Sequence, residues 1–214
     1  MNKIFSIIIL SFTLFSCEYQ EGGFSALDLA AFTATTNNPA FYDNFIVWRE
    51  SAGTTPSICW MGDSRIQFFQ NEFYFPNRQW NIGGKGSSTN GLLIRIPYVK
   101  IWKPDITVIS IGINDNFFHY SITAENIRLA IRELKPFTGR IIVTSIVPAK
   151  FKIEGLSEAS TLIKQVCVDE GVDFVDLSGM EVDSLLNPAY ADEGGVHYNA
   201  VGYNVFVNAI KTVL

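Results

Sequence analysis

The chain is poor in the residues that most often announce chemistry: it holds two histidines, His119 and His197, and three cysteines, Cys17, Cys59 and Cys167. Histidines so far apart form no local ligand pair, so there is no zinc signature and no metal or other cofactor is implied. Charged residues are also sparse, at 17%, and no basic run relieves a formal net charge of -5. Nothing in that balance could neutralise a phosphate backbone, which sets nucleic acid aside as a partner. Long apolar runs are missing too, except at the N-terminus, and that one is too short to span a bilayer comfortably.

The N-terminal run reads MNKIFSIIILSFTLFSC, with Lys3 as a short positive region ahead of Ile4 to Phe15. It has the form of a signal peptide, expected over residues 1–16. Leu14-Phe15-Ser16-Cys17 resembles a bacterial lipoprotein box, although Phe15 is larger than the residue usual there. On that reading Cys17 is lipidated and becomes the first residue of an exported chain anchored to a membrane of the cell envelope. Residues 17–40 are mostly small or polar and suit a tether. Cys59 and Cys167 could then form a disulfide, but each lies in an apolar segment where a small buried residue fits better.

What is plentiful is apolar side chain, 48% of the chain, which suits one globular domain over residues 41–214. Short apolar runs at Ser57 to Met61, Gln79 to Ile82, Ile106 to Ile111, Ile141 to Ile146 and Val172 to Val175 predict strands. Segments with helical apolar spacing follow at Thr89 to Trp102, Ala124 to Leu134, Leu156 to Asp169 and Asn199 to Val213. Strands that are almost continuously apolar are buried on both faces, so the pattern predicts a three-layer α/β/α sandwich around a mostly parallel sheet. Ligands bind such sheets beyond the carboxyl ends of the strands.

The residues just after each strand therefore matter most. Gly62-Asp63-Ser64-Arg65 follows the first, and such a turn can present a serine hydroxyl, though it is equally an ordinary turn before a helix cap. Asn81-Ile82-Gly83-Gly84-Lys85-Gly86-Ser87-Ser88 follows the second; the glycines could aim N–H groups into a site, but Lys85 lacks the Ser or Thr that a phosphate loop places after its lysine. Gly112-Ile113-Asn114-Asp115 follows the third, where an asparagine amide could donate to a developing oxyanion or merely cap a helix. His197 follows the last strand in ADEGGVHYNAVGY.

In that order, Gly62-Asp63-Ser64, Asn81 to Gly86, Gly112-Ile113-Asn114-Asp115 and His197-Tyr198-Asn199 with Gly202-Tyr203 resemble the four blocks of the SGNH (GDSL-type) hydrolase superfamily, over residues 55–214. The resemblance implies a flavodoxin-like fold, with Ser64 as nucleophile and His197 as general base. It further implies an oxyanion hole from the N–H of Ser64, the N–H of Gly86 and the amide of Asn114, with Gly84 competing for the place of Gly86. Asp63 is expected to brace its turn. Arg65 stands where the family more often has an uncharged residue and is a candidate contact for an anionic substrate group, against the alternative of a solvated or paired charge. His119 reads as a loop or helix-start histidine.

One departure stands out: the family places an aspartate three residues before the histidine, and here that position is Gly194. Either Glu193 reaches the imidazole through a bulge at Gly194-Gly195, or Asp192 does so over a longer arc, or a Ser-His dyad works without an acid. The expected function is a lipid-anchored esterase acting through an acyl-serine on small-molecule or polysaccharide esters, acetyl groups on carbohydrate first. A lipid esterase, an acyltransferase or a non-catalytic glycan- or protein-binding module on the same fold are the alternatives.

Overall fold

The computed structural model describes residues 49–115, 120–151 and 153–214. The signal peptide, the tether, Cys17, the domain start at 41 and His119 lie outside the described residues. Six strands form the main sheet: β1 Arg49–Ser51, β2 Thr54–Gly62, β3 Asn77–Gly83, β4 Ile106–Ser110, β5 Arg140–Thr144 and β6 Asp173–Val175. Their spatial order is β1-β3-β2-β4-β5-β6; β1 runs antiparallel to β3 and every other pairing is parallel. The helices are α1 Ser64–Gln67, α2 Thr89–Trp102, α3 Tyr120–Leu134, α4 Leu156–Glu170 and α5 Ala200–Lys211, and a small hairpin pairs β7 Glu181–Val182 with β8 Leu185–Leu186.

The five strands and four longer helices expected from the sequence are all present, with ends shifted by a few residues. Helix α1, a single turn, begins where the sequence offered a helix cap. Two features were not anticipated, and the first, β1, Arg-Glu-Ser, is a charged edge strand with no apolar signal. The β7–β8 hairpin has two-residue strands, shorter than any periodicity can register.

Alternation along the strands divides the core into two layers. Cys59 and Met61 of β2 face the side covered by Leu92, Ile96 and Val99 of α2, Ile127 and Ile131 of α3, and Ile163 and Val166 of α4. Ile58 and Trp60 face the opposite side with Phe69, Phe206 and Ile210. Burying one large apolar side chain contributes about 1.5–3 kcal/mol. Trp60 adds an edge-on contact to Phe69 with centroids 4.9 Å apart and donates its indole N–H to Gln79 at 2.7 Å. Cys59 and Cys167 are both free and buried in the first layer, and burial pushes both thiols up, Cys167 to about 12.

The order β3-β2-β4 makes β2 the strand from which the chain winds in both directions, the place where an open parallel sheet forms its crevice. Gly62 pairs with Gly83 on one side and Ser110 on the other, so the loops leaving all three strands emerge side by side. A β-carbon on Gly62 would lie 2.3 Å from both Ile66 Cγ1 and the Ser110 carbonyl. Only glycine lets α1 fold back over the strand end there.

Candidate active site

Ser64 is the first residue of α1. Asp63 caps that helix, its Oδ1 accepting the Arg65 N–H at 2.8 Å, which braces the turn as the sequence suggested. Burial raises the Asp63 carboxyl against the opposing pull of Arg65, the Arg65 N–H, Arg95 and His197. Ser64 itself is buried except for a small part, and its hydroxyl lies 2.9 Å from His197 Nε2. Residues 133 positions apart thus meet across the crevice.

On the other side of the imidazole, Nδ1 lies 3.3 Å from Asp192 Oδ2. Asp192 closes a loop on itself. Its Oδ1 accepts the backbone N–H groups of Gly195 at 2.7 Å, Val196 at 3.2 Å and His197 at 3.3 Å, while its own N–H donates to the His197 carbonyl at 2.9 Å. Burial alone would raise this carboxyl; the backbone donors of Val196, His197 and Gly195, with the imidazole, outweigh it and hold the group below its ordinary range. Gly195 makes the turn possible. Its φ is +72°, and a β-carbon there would strike the Lys150 side chain at 2.2 Å.

Glu193 is therefore corrected as the acid. It is exposed, and the carboxylate on the imidazole is Asp192. The Gly194-Gly195 pair does displace the family's aspartate by two positions, but the chain turns so that the shorter side chain folds inward while Glu193 points to solvent.

Arg65 is corrected as a substrate contact. It is 4% exposed, and its guanidinium donates to three carbonyls: Val147 at 2.5 Å, Pro148 at 2.8 Å and Val196 at 2.9 Å. It also lies 4.7 Å from the centroid of the Tyr198 ring, while Tyr203 Oη donates to the Arg65 carbonyl at 2.7 Å. A guanidinium spent on these partners has no face left for a ligand. With Asp63, Ser110, Tyr198, Ile111 and Ile146 among its walls, Arg65 also lines a small cavity of mixed polar and apolar character, about 10 Å³ and no larger than one water molecule.

The glycine-rich loop separates its two candidates. The Gly84 N–H donates to the Gly62 carbonyl at 3.0 Å and is committed there, whereas Gly86, at φ +69°, is exposed with open space around it and its N–H has no partner among the described residues. Asn114 sits in a single 3-10 turn after β4 and donates one Nδ2 hydrogen to the Ser87 carbonyl at 3.0 Å, and the other has no partner among the described residues. Next to it, buried Asp115 accepts from Thr89 N at 2.8 Å, Thr89 Oγ1 at 2.5 Å and Thr123 Oγ1 at 3.0 Å, pinning the Asn114 turn to the start of α2. Burial raises the Asp115 carboxyl despite these donors.

Sequence reasoning missed two side chains of this region. Phe68 packs edge-on to His197, with centroids 5.0 Å apart, and is half exposed beside it. Arg95 lies fully buried under the strand ends. A signal existed for the second: Leu92, Ile96 and Val99 form the inward stripe of α2, and Arg95 is a charge on that stripe. Among the described residues no group of three or more His, Cys, Asp and Glu is placed to hold a metal ion.

Chemically, a serine hydroxyl on an imidazole that is held from behind by a carboxylate, with a loop N–H and an amide nearby, can carry out acyl transfer. Comparison with known proteins bears on the same class of reaction. Solved structures share the fold: a GDSL-like lipase from Bacteroides thetaiotaomicron is 21% identical with a TM-score of 0.68, covering 83% of this chain and 97% of its own. An acetylxylan esterase from Geobacillus stearothermophilus is 20% identical with a TM-score of 0.61, covering 75% of this chain and 94% of its own. An alpha/beta hydrolase from the metagenome of Lake Arreo, Spain, is 17% identical with a TM-score of 0.61, covering 75% of this chain and 95% of its own. No curated protein sequence matches. The family description GDSL-like Lipase/Acylhydrolase matches residues 64–205, well over half of the chain, which runs from the proposed nucleophile past His197. The chain belongs to the GDSL-like lipase/acylhydrolase family and is a hydrolase of the SGNH type.

Proposed function

We propose that the protein is a serine esterase that removes short acyl groups, acetyl first, from carbohydrate. The observation that carries the reaction is the 2.9 Å approach of Ser64 Oγ to His197 Nε2, with Asp192 on the opposite ring nitrogen. A carboxylate accepting from Nδ1–H leaves the Nε2 lone pair facing the serine hydroxyl. The 3.3 Å separation is long for a hydrogen bond, as such contacts often are before substrate binds.

In the forward step the Ser64 proton passes to His197 Nε2 as the Ser64 Oγ–carbonyl carbon bond forms. The oxyanion faces the N–H groups of Ser64 and Gly86 and the Asn114 amide. Collapse breaks the ester C–O bond, and the Nε2 proton goes to the departing alcohol oxygen. Water then repeats the sequence on the acyl-serine, releasing the acid and restoring Ser64.

The substrate reading rests on separate observations. The half-exposed Phe68 ring beside His197 suits the apolar face of a sugar, and the likeness to an acetylxylan esterase points the same way. An N-terminal lipid on Cys17 would place the enzyme at the cell envelope, where polysaccharide esters occur. The non-catalytic alternative drew its support from a missing acid, and Asp192 beside the imidazole takes that support away.

A fluorophosphonate probe tests the reaction: wild type should label at Ser64 and Ser64→Ala should not. Acetylated xylose oligomers assayed against short-chain and long-chain acyl esters test the substrate. Faster turnover of long acyl chains would overturn the acetyl assignment, and an unlabelled wild type would overturn the esterase. Cys17→Ser should leave the membrane fraction, and retention there would overturn the anchor.

A further inference from the structure

Arg95 is fully buried on the inward stripe of α2, where an apolar residue would ordinarily stand. Its Nη1 donates to the Gly62 carbonyl at 2.7 Å and also to the Ile82 carbonyl, Nη2 donates to Ser87 Oγ at 2.6 Å, and Nε donates to the Gly91 carbonyl at 3.0 Å. Two of these acceptors adjoin proposed oxyanion donors along the chain. Gly62 ends the strand that delivers the Ser64 N–H, and Ser87 follows Gly86 in the chain. The Ser87 carbonyl in turn accepts the Asn114 amide at 3.0 Å. Two backbone bonds complete the frame, Gly84 N–H to the Gly62 carbonyl at 3.0 Å and Ser87 N–H to the Gly84 carbonyl at 3.1 Å.

We propose that Arg95 is the positioning residue of the oxyanion site. It touches no substrate. Its planar fork carries five donors in fixed directions and stays charged at any ordinary pH, so one side chain can satisfy carbonyls at the ends of β2 and β3 and a loop hydroxyl together. A lysine ammonium carries the charge without the fork, and methionine fills the volume with neither. The arrangement matters to the rate because oxyanion donors act through preorganisation: they must stand in place before charge develops.

The inference rests on the esterase reading and is tested separately from it. The purified protein is compared as wild type, Ser64→Ala, Ser87→Ala, Asn114→Ala, Arg95→Lys, Arg95→Met and the Arg95→Lys/Asn114→Ala double variant. The measurements are kcat and KM on an activated acetyl ester, with circular dichroism and thermal unfolding as controls of fold. Arg95→Lys should keep the fold and lose about 10²-fold in kcat with KM nearly unchanged, the size expected of donors misplaced by about 1 Å. Ser87→Ala should fall in the same sense by about tenfold, as one of the anchoring bonds is removed. Because Arg95 acts through the same oxyanion as Asn114, the double variant should be slower than Asn114→Ala by much less than the factor that Arg95→Lys costs in the wild-type background.

Undiminished kcat in both Arg95→Lys and Ser87→Ala overturns the inference, and so do effects that multiply with Asn114→Ala or a loss confined to KM. If Arg95→Met fails to fold, Arg95→Lys and Ser87→Ala decide the matter. Absence of turnover that depends on Ser64 overturns the esterase reading and this inference with it. Ser64-dependent turnover with undiminished kcat in both Arg95→Lys and Ser87→Ala overturns this inference alone.

Discussion

Arg65 Nε donates to the Val196 carbonyl at 2.9 Å, so the residue after Ser64 holds the residue before His197. The same guanidinium reaches Val147 and Pro148 in the loop after β5. One buried side chain, itself no part of the reacting groups, thus ties the start of α1 to the loop that carries the imidazole.

Removing that clamp should cost stability before it costs specificity. Arg65→Met leaves three buried or part-buried carbonyls unpaired at about 1–3 kcal/mol each, so thermal unfolding should shift down by about 10 °C or more. The ratio of rates on neutral and carboxylate-bearing esters should not change in Arg65→Lys. A changed ratio would restore Arg65 as a substrate contact.

The two acids beside Gly194 should behave oppositely. Asp192→Asn should lower kcat/KM by about 10⁴, the loss seen when a triad carboxylate can no longer hold the imidazole tautomer. Glu193→Gln, altering an exposed side chain, should stay within about twofold of wild type. Steady-state hydrolysis of an acetyl ester measures both.

Asp192 also carries a pH signature in stability. Its folded pKa lies below the unfolded value, so the stability it contributes is fully present above the unfolded pKa and is lost as pH falls through the folded one. The difference in urea midpoint between wild type and Asp192→Asn should be flat from neutral pH down to about pH 5 and should close below about pH 4, where the unfolded carboxylate takes up its proton. A gap that widens on acidification would contradict the backbone donors as its cause.

Gly62 and Gly86 should separate folding from chemistry. Gly62→Ala would force a β-carbon to 2.3 Å from the Ser110 carbonyl and should abolish the folded state or shift unfolding strongly. Gly86→Ala meets no neighbour within 4 Å and carries only the left-handed backbone penalty of about 1 kcal/mol. It should fold, and any displacement of its N–H should appear in kcat. Circular dichroism and ester hydrolysis on the same preparations distinguish the two.

Much of the fold could be read in advance because its strands are buried on both faces and its helices carry a clear stripe, as in β4, where all five residues are buried. Ser64, His197 and Asn114 were legible through the resemblance of their ordered blocks to the SGNH hydrolases, since each motif by itself reads equally as a turn, a cap or a loop. Arg65 was misread for a physical reason: local sequence shows a charge at a helix start, while its partners lie 82, 83 and 131 residues away. The small elements escaped because two or three residues contain no period.

The succession of strands and helices along the chain and the layered core were determined by the sequence itself, through apolar spacing that acts over a few positions, and the serine, amide and histidine through the resemblance of their motifs to a known family. The tertiary structure decided which acid serves the imidazole. Asp192 and Glu193 are neighbours with the same charge, and nothing in their spacing prefers one. Three backbone N–H groups of the Gly195 turn converge on the Asp192 carboxylate and hold it against His197 Nδ1. That preference comes from the path of the folded loop, which is set where Lys150 N–H donates to the Gly195 carbonyl at 2.7 Å and where Arg65 grips Val196.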